Sequence, residues 1–157
     1  MFKKIILWVL VLSCMGAIFA FSSQEATESK KTSSRFITAV IRFFDINNSL
    51  SQDSIENIAE KITTFVRKSA HFSIYALLGA LVALLFSQYG LKGKRQFFFA
   101  VLWVLLYACS DEFHQTFVKG RSGEVRDVLI DTAGGFCGAA FVITIIALVK
   151  RIRKRRD

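Results

Sequence analysis

The chain has no proline, so nothing in its 157 residues forces a kink or removes a backbone donor. Long unbroken helices are therefore allowed throughout. Cysteine is scarce: Cys14, Cys109 and Cys137 fall one per hydrophobic segment at unrelated spacings, which gives neither a disulfide framework nor a zinc pattern. They read as small packing residues, with Cys14 inside an uncleaved anchor helix. Ten-residue segments of alternating hydropathy are lacking as well, which excludes a closed membrane barrel. Histidine is limited to His71 and His114. With no HExxH or acid-rich ligand run around them, neither a metal nor a cofactor is expected.

What the chain has is apolar mass. Hydrophobic residues make up 53% of it, too many for an ordinary soluble domain of this length. A helix crossing a hydrocarbon core of about 30 Å needs roughly 20 apolar residues. Four segments qualify, at about 5–21, 69–89, 96–115 and 128–149, and predict an all-α integral membrane protein, a single four-helix bundle.

The basic residues orient it. With the N-terminus inside, the short inner segments 1–4, 90–95 and 150–157 carry eleven lysines and arginines against the single acid Asp157. The longer outer segments, 22–68 and 110–131, hold ten positives and eleven acids. Both termini are therefore expected in the cytoplasm. The net charge of +9 reads as a topology signal and an attraction to anionic lipid, and no nucleic-acid partner is expected.

The same topology gathers four distant polar stretches into one outer layer: Phe21–Gln24, Arg67–Tyr75, Ser110–Gln115 and Gly120–Asp131. The third apolar segment runs only from Phe97 to Cys109, so a helix that crosses the bilayer must carry Asp111, Glu112 and His114 into the outer leaflet. An ionised residue costs on the order of 3 kcal/mol at the centre of a membrane helix, so such groups face one another or a polar cavity. Helical spacing groups Lys68, His71 and Tyr75, with Arg67 one turn before His71. It groups Asp111 with His114 and Gln115, leaving Glu112 pointing elsewhere, and puts Asp127 and Asp131 one turn apart. Gly134 and Gly138 form a GxxxG spacing suited to close packing within the bundle.

The outer loop, 22–68, carries two amphipathic patterns. Arg35–Phe44 reads as a helix lying in the membrane interface. Asp53–Val66 reads as a second, with Asp53 and Glu56 spaced as a capping pair and Ile55, Ile58, Ile62 and Phe65 on one stripe.

Taken together, FSSQ at Phe21–Gln24, RKxAHFxxYxxLG at Arg67–Gly79, SDExHQxFVxGR at Ser110–Arg121 and DVxxDTxGxxxG at Asp127–Gly138 resemble the VanZ-like family. These are bacterial membrane proteins named after a teicoplanin-resistance accessory protein. Lys119 departs from the proline usual in the family before Gly-Arg. The resemblance implies a cell-envelope location in the bacterial cytoplasmic membrane and an association with glycopeptide susceptibility, and it carries no settled reaction.

The residues themselves support three classes of function. In a structural reading, Arg67 and Lys68 neutralise Asp111, Asp127 or Asp131, because buried charges need partners. In a binding reading, Arg67, Lys68 and Arg121 hold an anionic lipid headgroup, a lipid-linked cell-wall precursor or a lipoglycopeptide, with His71, Tyr75, Asp111, Glu112, His114, Gln115, Asp127 and Asp131 completing the site. In an enzymatic reading, acid–base or metal-assisted chemistry modifies an outer-leaflet lipid-linked substrate. His71, Glu112, His114, Asp127 and Asp131 are types suited to either, with His71 or His114 as a base oriented by Asp111 and Arg121 on developing negative charge. Membrane lipids are the expected partners, and a homo-oligomer is left open.

Overall fold

In the computed structural model, residues 1–24, 37–40, 43 and 51–155 are described. They form four long helices: α1 (Phe2–Ser22), α2 (Gln52–Gln88), α3 (Gly93–Gln115) and α4 (Val125–Arg153). All four are long and apolar enough to cross a membrane, and no strand occurs among the described residues. Each of the four apolar segments read from the sequence lies largely within one of them.

The main difference from the sequence reading concerns α2. The pattern at 53–66 and the apolar segment at 69–89 are parts of one 37-residue helix. Ser51 is its N-cap, with Oγ accepting from the Ser54 amide at 3.3 Å, in place of the expected cap at Asp53, which sits in the first turn. The physical reason is propagation: no glycine interrupts the chain between Ser51 and Gly79, and each residue added to a formed helix gains a hydrogen bond. At 1.5 Å per residue α2 spans roughly 55 Å, well beyond a hydrocarbon core of about 30 Å. Its first turns thus project past the bundle. The expected stripe there is also rotated, since Ile55, Ala59 and Thr63 are buried while Phe65 is exposed. Of the other amphipathic pattern, 35–44, half the positions are described, and these, 37–40 and 43, are helical.

Small residues decide how the helices meet. α2 and α4 approach so closely that a Cβ on Gly138 would lie 1.8 Å from the Ala76 carbonyl oxygen. One on Gly134 would lie 2.3 Å from the Phe72 oxygen, and one on Gly79 2.2 Å from the Gly135 oxygen. Only hydrogen fits at these points, so the GxxxG face of α4 is spent inside the chain, against α2. On the inward side of α3, Gln96, Ala100, Val104 and Ala108 recur every four residues and are buried. Val11, Cys14 and Ile18 of α1 and Tyr75, Leu78 and Val82 of α2 close the core. The outward faces are apolar, with Leu10 and Phe19 of α1, Phe98 and Leu106 of α3 and Phe141 of α4 exposed, as a lipid-facing surface requires.

Candidate functional site

The buried stripe of α3 continues from Ala108 to Asp111, Glu112 and Gln115. The helix thus carries polar groups on its core face as it nears its C-terminus. At the same end of the bundle lie the C-terminus of α1, the His71–Tyr75 turn of α2 and the first two turns of α4, with Asp127 and Asp131. One-turn spacing within each helix turns these side chains inward.

Asp111 is the floor. Its Oδ2 accepts from Ser22 Oγ of α1 at 2.7 Å, from the Tyr75 hydroxyl of α2 at 3.2 Å and from Gln115 Nε2 at 3.3 Å. Its Oδ1 has no hydrogen-bond partner. Beside it Asp131 is 1% exposed, and neither of its carboxylate oxygens has a hydrogen-bond partner. His71 Nδ1 stands 3.7 Å from Asp131 Oδ2, beyond hydrogen-bonding distance. Donor atoms of His71, Asp111 and Asp131 all lie within 4.8 Å of one another.

Above the floor opens a cavity of about 160 Å³, room enough for several waters or a phosphate-sized group. Its wall includes Lys68, which pairs with Asp127 and ties α2 to the start of α4. Arg121 reaches across to α1, donating from Nε to the Gln24 carbonyl at 2.9 Å and from Nη2 to the Phe21 carbonyl at 3.2 Å. Its Nη1 donates to Gln115 Oε1 at 3.1 Å. A guanidinium at a helix C-terminus satisfies carbonyls that the helix leaves open and suits the negative end of its dipole. Burial, followed by the nearby Arg67 charge, draws the Arg121 pKa below its ordinary value, although a guanidinium remains charged. Gly120, at φ +77, makes the turn that delivers Arg121. Arg67 lines the cavity without a hydrogen bond or ion pair among the described residues.

Of the residues singled out in the sequence, Arg67, Lys68, His71, Gln115, Arg121, Asp127 and Asp131 line this cavity, while Asp111 adjoins the lining residues His71 and Asp131 and is bonded to Tyr75, without either of the two lining it. Two sit elsewhere. Glu112 is 5% exposed and braces the α3–α4 connection: Oε2 accepts the Glu124 amide at 2.9 Å and Oε1 accepts from Gln115 at 3.0 Å. His114 is not brought to the cavity; its ring packs against Phe19 of α1, with centroids 4.4 Å apart. The reason is rotational: three residues past Asp111 falls about 60° short of a full turn while Gln115 overshoots it by about 40°, so the two flank Asp111 on opposite sides and the imidazole is on the side of α1. No hydrogen bond or ion pair joins it to Asp111, and its Nδ1 has no hydrogen-bond partner, so the pairing of base and orienter expected from their spacing does not form.

The sequence reading did not name Ser22, Ser122, Glu124 and Ile130 as site residues. Ser22 was within reach, because the stretch it belongs to falls in the same polar layer, and a hydroxyl ending an apolar helix opposite an acid is a natural donor. Ile130 carries no signal that distinguishes it from a core residue.

A family model described as VanZ/LLP1 matches residues 7–148 of the chain. No curated protein and no solved structure gives a significant match.

Proposed function

The chain belongs to the VanZ/LLP1 family, and on that premise we propose that its polar end binds the anionic headgroup of a lipid in the outer leaflet of the bacterial cytoplasmic membrane. The observation that carries this reading is the cavity itself. It places cationic Arg67, Lys68 and Arg121 around a space fit for a phosphate, at the end of a bundle whose sides are apolar. Among the described residues Lys68 and Arg121 hold protein partners and Arg67 does not, which leaves Arg67 to meet a ligand. Guanidinium forks grip phosphate oxygens in pairs, and in a site shielded from water such contacts are stronger than at an open surface.

The basic inner segments support placing both termini in the cytoplasm, which turns the cavity outward. There it meets phospholipid headgroups, lipid-linked cell-wall precursors and lipid-tailed glycopeptides, and the expected consequence is a lowered response to teicoplanin-type drugs. A second reading, an enzyme acting on such a lipid, is favoured by the convergence of His71, Asp111 and Asp131 on the cavity floor.

The test pairs native mass spectrometry of gently solubilised protein with drug response in cells. Arg67→Gln should retain less phosphate-bearing lipid than the parent and lose its effect on teicoplanin response at unchanged membrane abundance. A variant that keeps the parent's lipid and response in full would refute the reading.

A further inference from the structure

We propose that His71, Asp111 and Asp131 form a divalent-cation site at the floor of the cavity. The inference deepens the lipid-binding reading, because a cation there would meet the phosphate that Arg67 approaches from the rim.

Three observations converge on it. The donors come from three different helices and their atoms lie within 4.8 Å of one another. Asp131, at 1% exposure, has two carboxylate oxygens without a hydrogen-bond partner, an arrangement that is costly for a charged group unless an ion or donor answers it. Asp111 is held as a ligand is held: Ser22, Tyr75 and Gln115 all donate to Oδ2, which fixes the carboxylate and leaves Oδ1 free. Such outer hydrogen bonds orient metal-binding carboxylates and are a regular part of metal sites.

Charge favours a cation over a simple ion pair. Two carboxylates beside a neutral imidazole carry −2, which one divalent ion neutralises, whereas a single imidazolium leaves half of it. Of the three other cations on the cavity wall, Lys68 is engaged with Asp127 and Arg121 with the carbonyls of α1, and Arg67 is left to meet the phosphate. One nitrogen and two carboxylate donors suit Mn²⁺, Fe²⁺ or Zn²⁺ better than Ca²⁺ or Mg²⁺, which prefer all-oxygen shells. Donors to one such ion sit about 3 to 3.5 Å apart for bonds near 2.1 Å, so closing the cluster asks only for small side-chain rotations. The remaining coordination positions face the cavity, where a phosphate oxygen could enter between the ion and Arg67.

The test uses the full chain in detergent, stripped with chelator and titrated with Mn²⁺ while calorimetry and electron paramagnetic resonance are recorded. One equivalent per chain is expected, with coupling to a single imidazole nitrogen. The chain has two histidines, so the nitrogen signal should survive His114→Ala and vanish in His71→Gln. Asp131→Asn should weaken binding by at least about tenfold, and Ser22→Ala, acting only through Asp111, by about 10- to 100-fold. Ser22→Ala keeps the test open if Asp131→Asn fails to fold. Asp53→Asn, in the first turn of α2, should bind as the parent does. Absence of stoichiometric Mn²⁺ binding by the folded parent overturns the site, as does undiminished binding in folded His71→Gln. Arg67-dependent lipid retention without Mn²⁺ binding sinks the cation site and leaves the lipid reading standing. Mn²⁺ binding by a parent that retains no lipid supports the cation site and sinks the lipid reading.

Discussion

Replacing Gly138 by alanine adds one methyl group at the closest approach in the bundle. An ideal Cβ there lies 1.8 Å from the Ala76 carbonyl oxygen, 2.7 Å from its carbonyl carbon and 3.0 Å from its Cα. All three atoms are backbone, so no side chain can rotate away and the helices themselves must part. Reaching an ordinary carbon–oxygen contact of about 3.3 Å requires a separation of roughly 1.5 Å. Overpacking of this kind costs about 1–3 kcal/mol, and the intrinsic gain of about 1 kcal/mol from glycine to alanine in a helix offsets only part of it. Gly16 supplies the internal control, because a Cβ there meets nothing within 4 Å and only the favourable helix term applies. Thermal unfolding in detergent, followed by tryptophan fluorescence, should therefore move in opposite directions, down for Gly138→Ala and level or up for Gly16→Ala. Parting α2 from α4 should also widen the gap between Lys68 and Asp127 and between His71 and Asp131, reducing lipid retention. Equal or greater stability of Gly138→Ala relative to Gly16→Ala would refute the packing argument.

Arg121→Ala removes two hydrogen bonds to the end of α1 and one to Gln115 of α3; at about 1 kcal/mol net for each, faster amide hydrogen exchange near the C-terminus of α1 is the expected readout. Glu112→Ala should fray the start of α4 by about 1 kcal/mol, as the loss of a helix cap does, and exchange at Val125–Asp127 should rise while the first turn of α1 stays as it was. Asp127→Asn breaks the partly exposed pair with Lys68 and should change membrane abundance little, since such pairs contribute about 0–1 kcal/mol. With the three native cysteines replaced, a cysteine at Ser122 should react with an impermeant reagent added to intact cells and one at Gly93 should not; the reverse result would invert the proposed orientation.

These predictions bear on how the site is apportioned. Part of its charge is scaffold: Arg121 spends its donors on carbonyls of α1 and on Gln115, and Glu112 braces α4. The part without structural duty is Arg67 at the rim and the unsatisfied oxygens of Asp111 and Asp131 at the floor. Replacing a buried charge cluster by apolar residues is often neutral or stabilising, so packing alone gives no reason to keep those groups there.

The four long apolar helices were legible in the sequence because the requirement behind them is local. In hydrocarbon every backbone group must bond within its own segment, and a run of apolar residues without proline can do so only as a helix. The gathering of the polar stretches at one end of the bundle was legible for a similar reason, since helices of alternating direction return them to the same end. The small-residue face of α4 was visible in its spacing, although its partner was not. Rotation and contact were left to the tertiary structure. Asp111 and Glu112 are adjacent acids on one helix, yet one meets Ser22, Tyr75 and Gln115 and the other the start of α4, and the face that α3 turns inward is the one that packs Val104 against Gly135. His114 shares the membrane depth of Asp111 but is turned to Phe19. The meeting of His71, Asp111 and Asp131 depends on α2 and α4 coming close enough for backbone to touch backbone, a distance fixed by glycines on both helices and recorded in no single stretch of the chain.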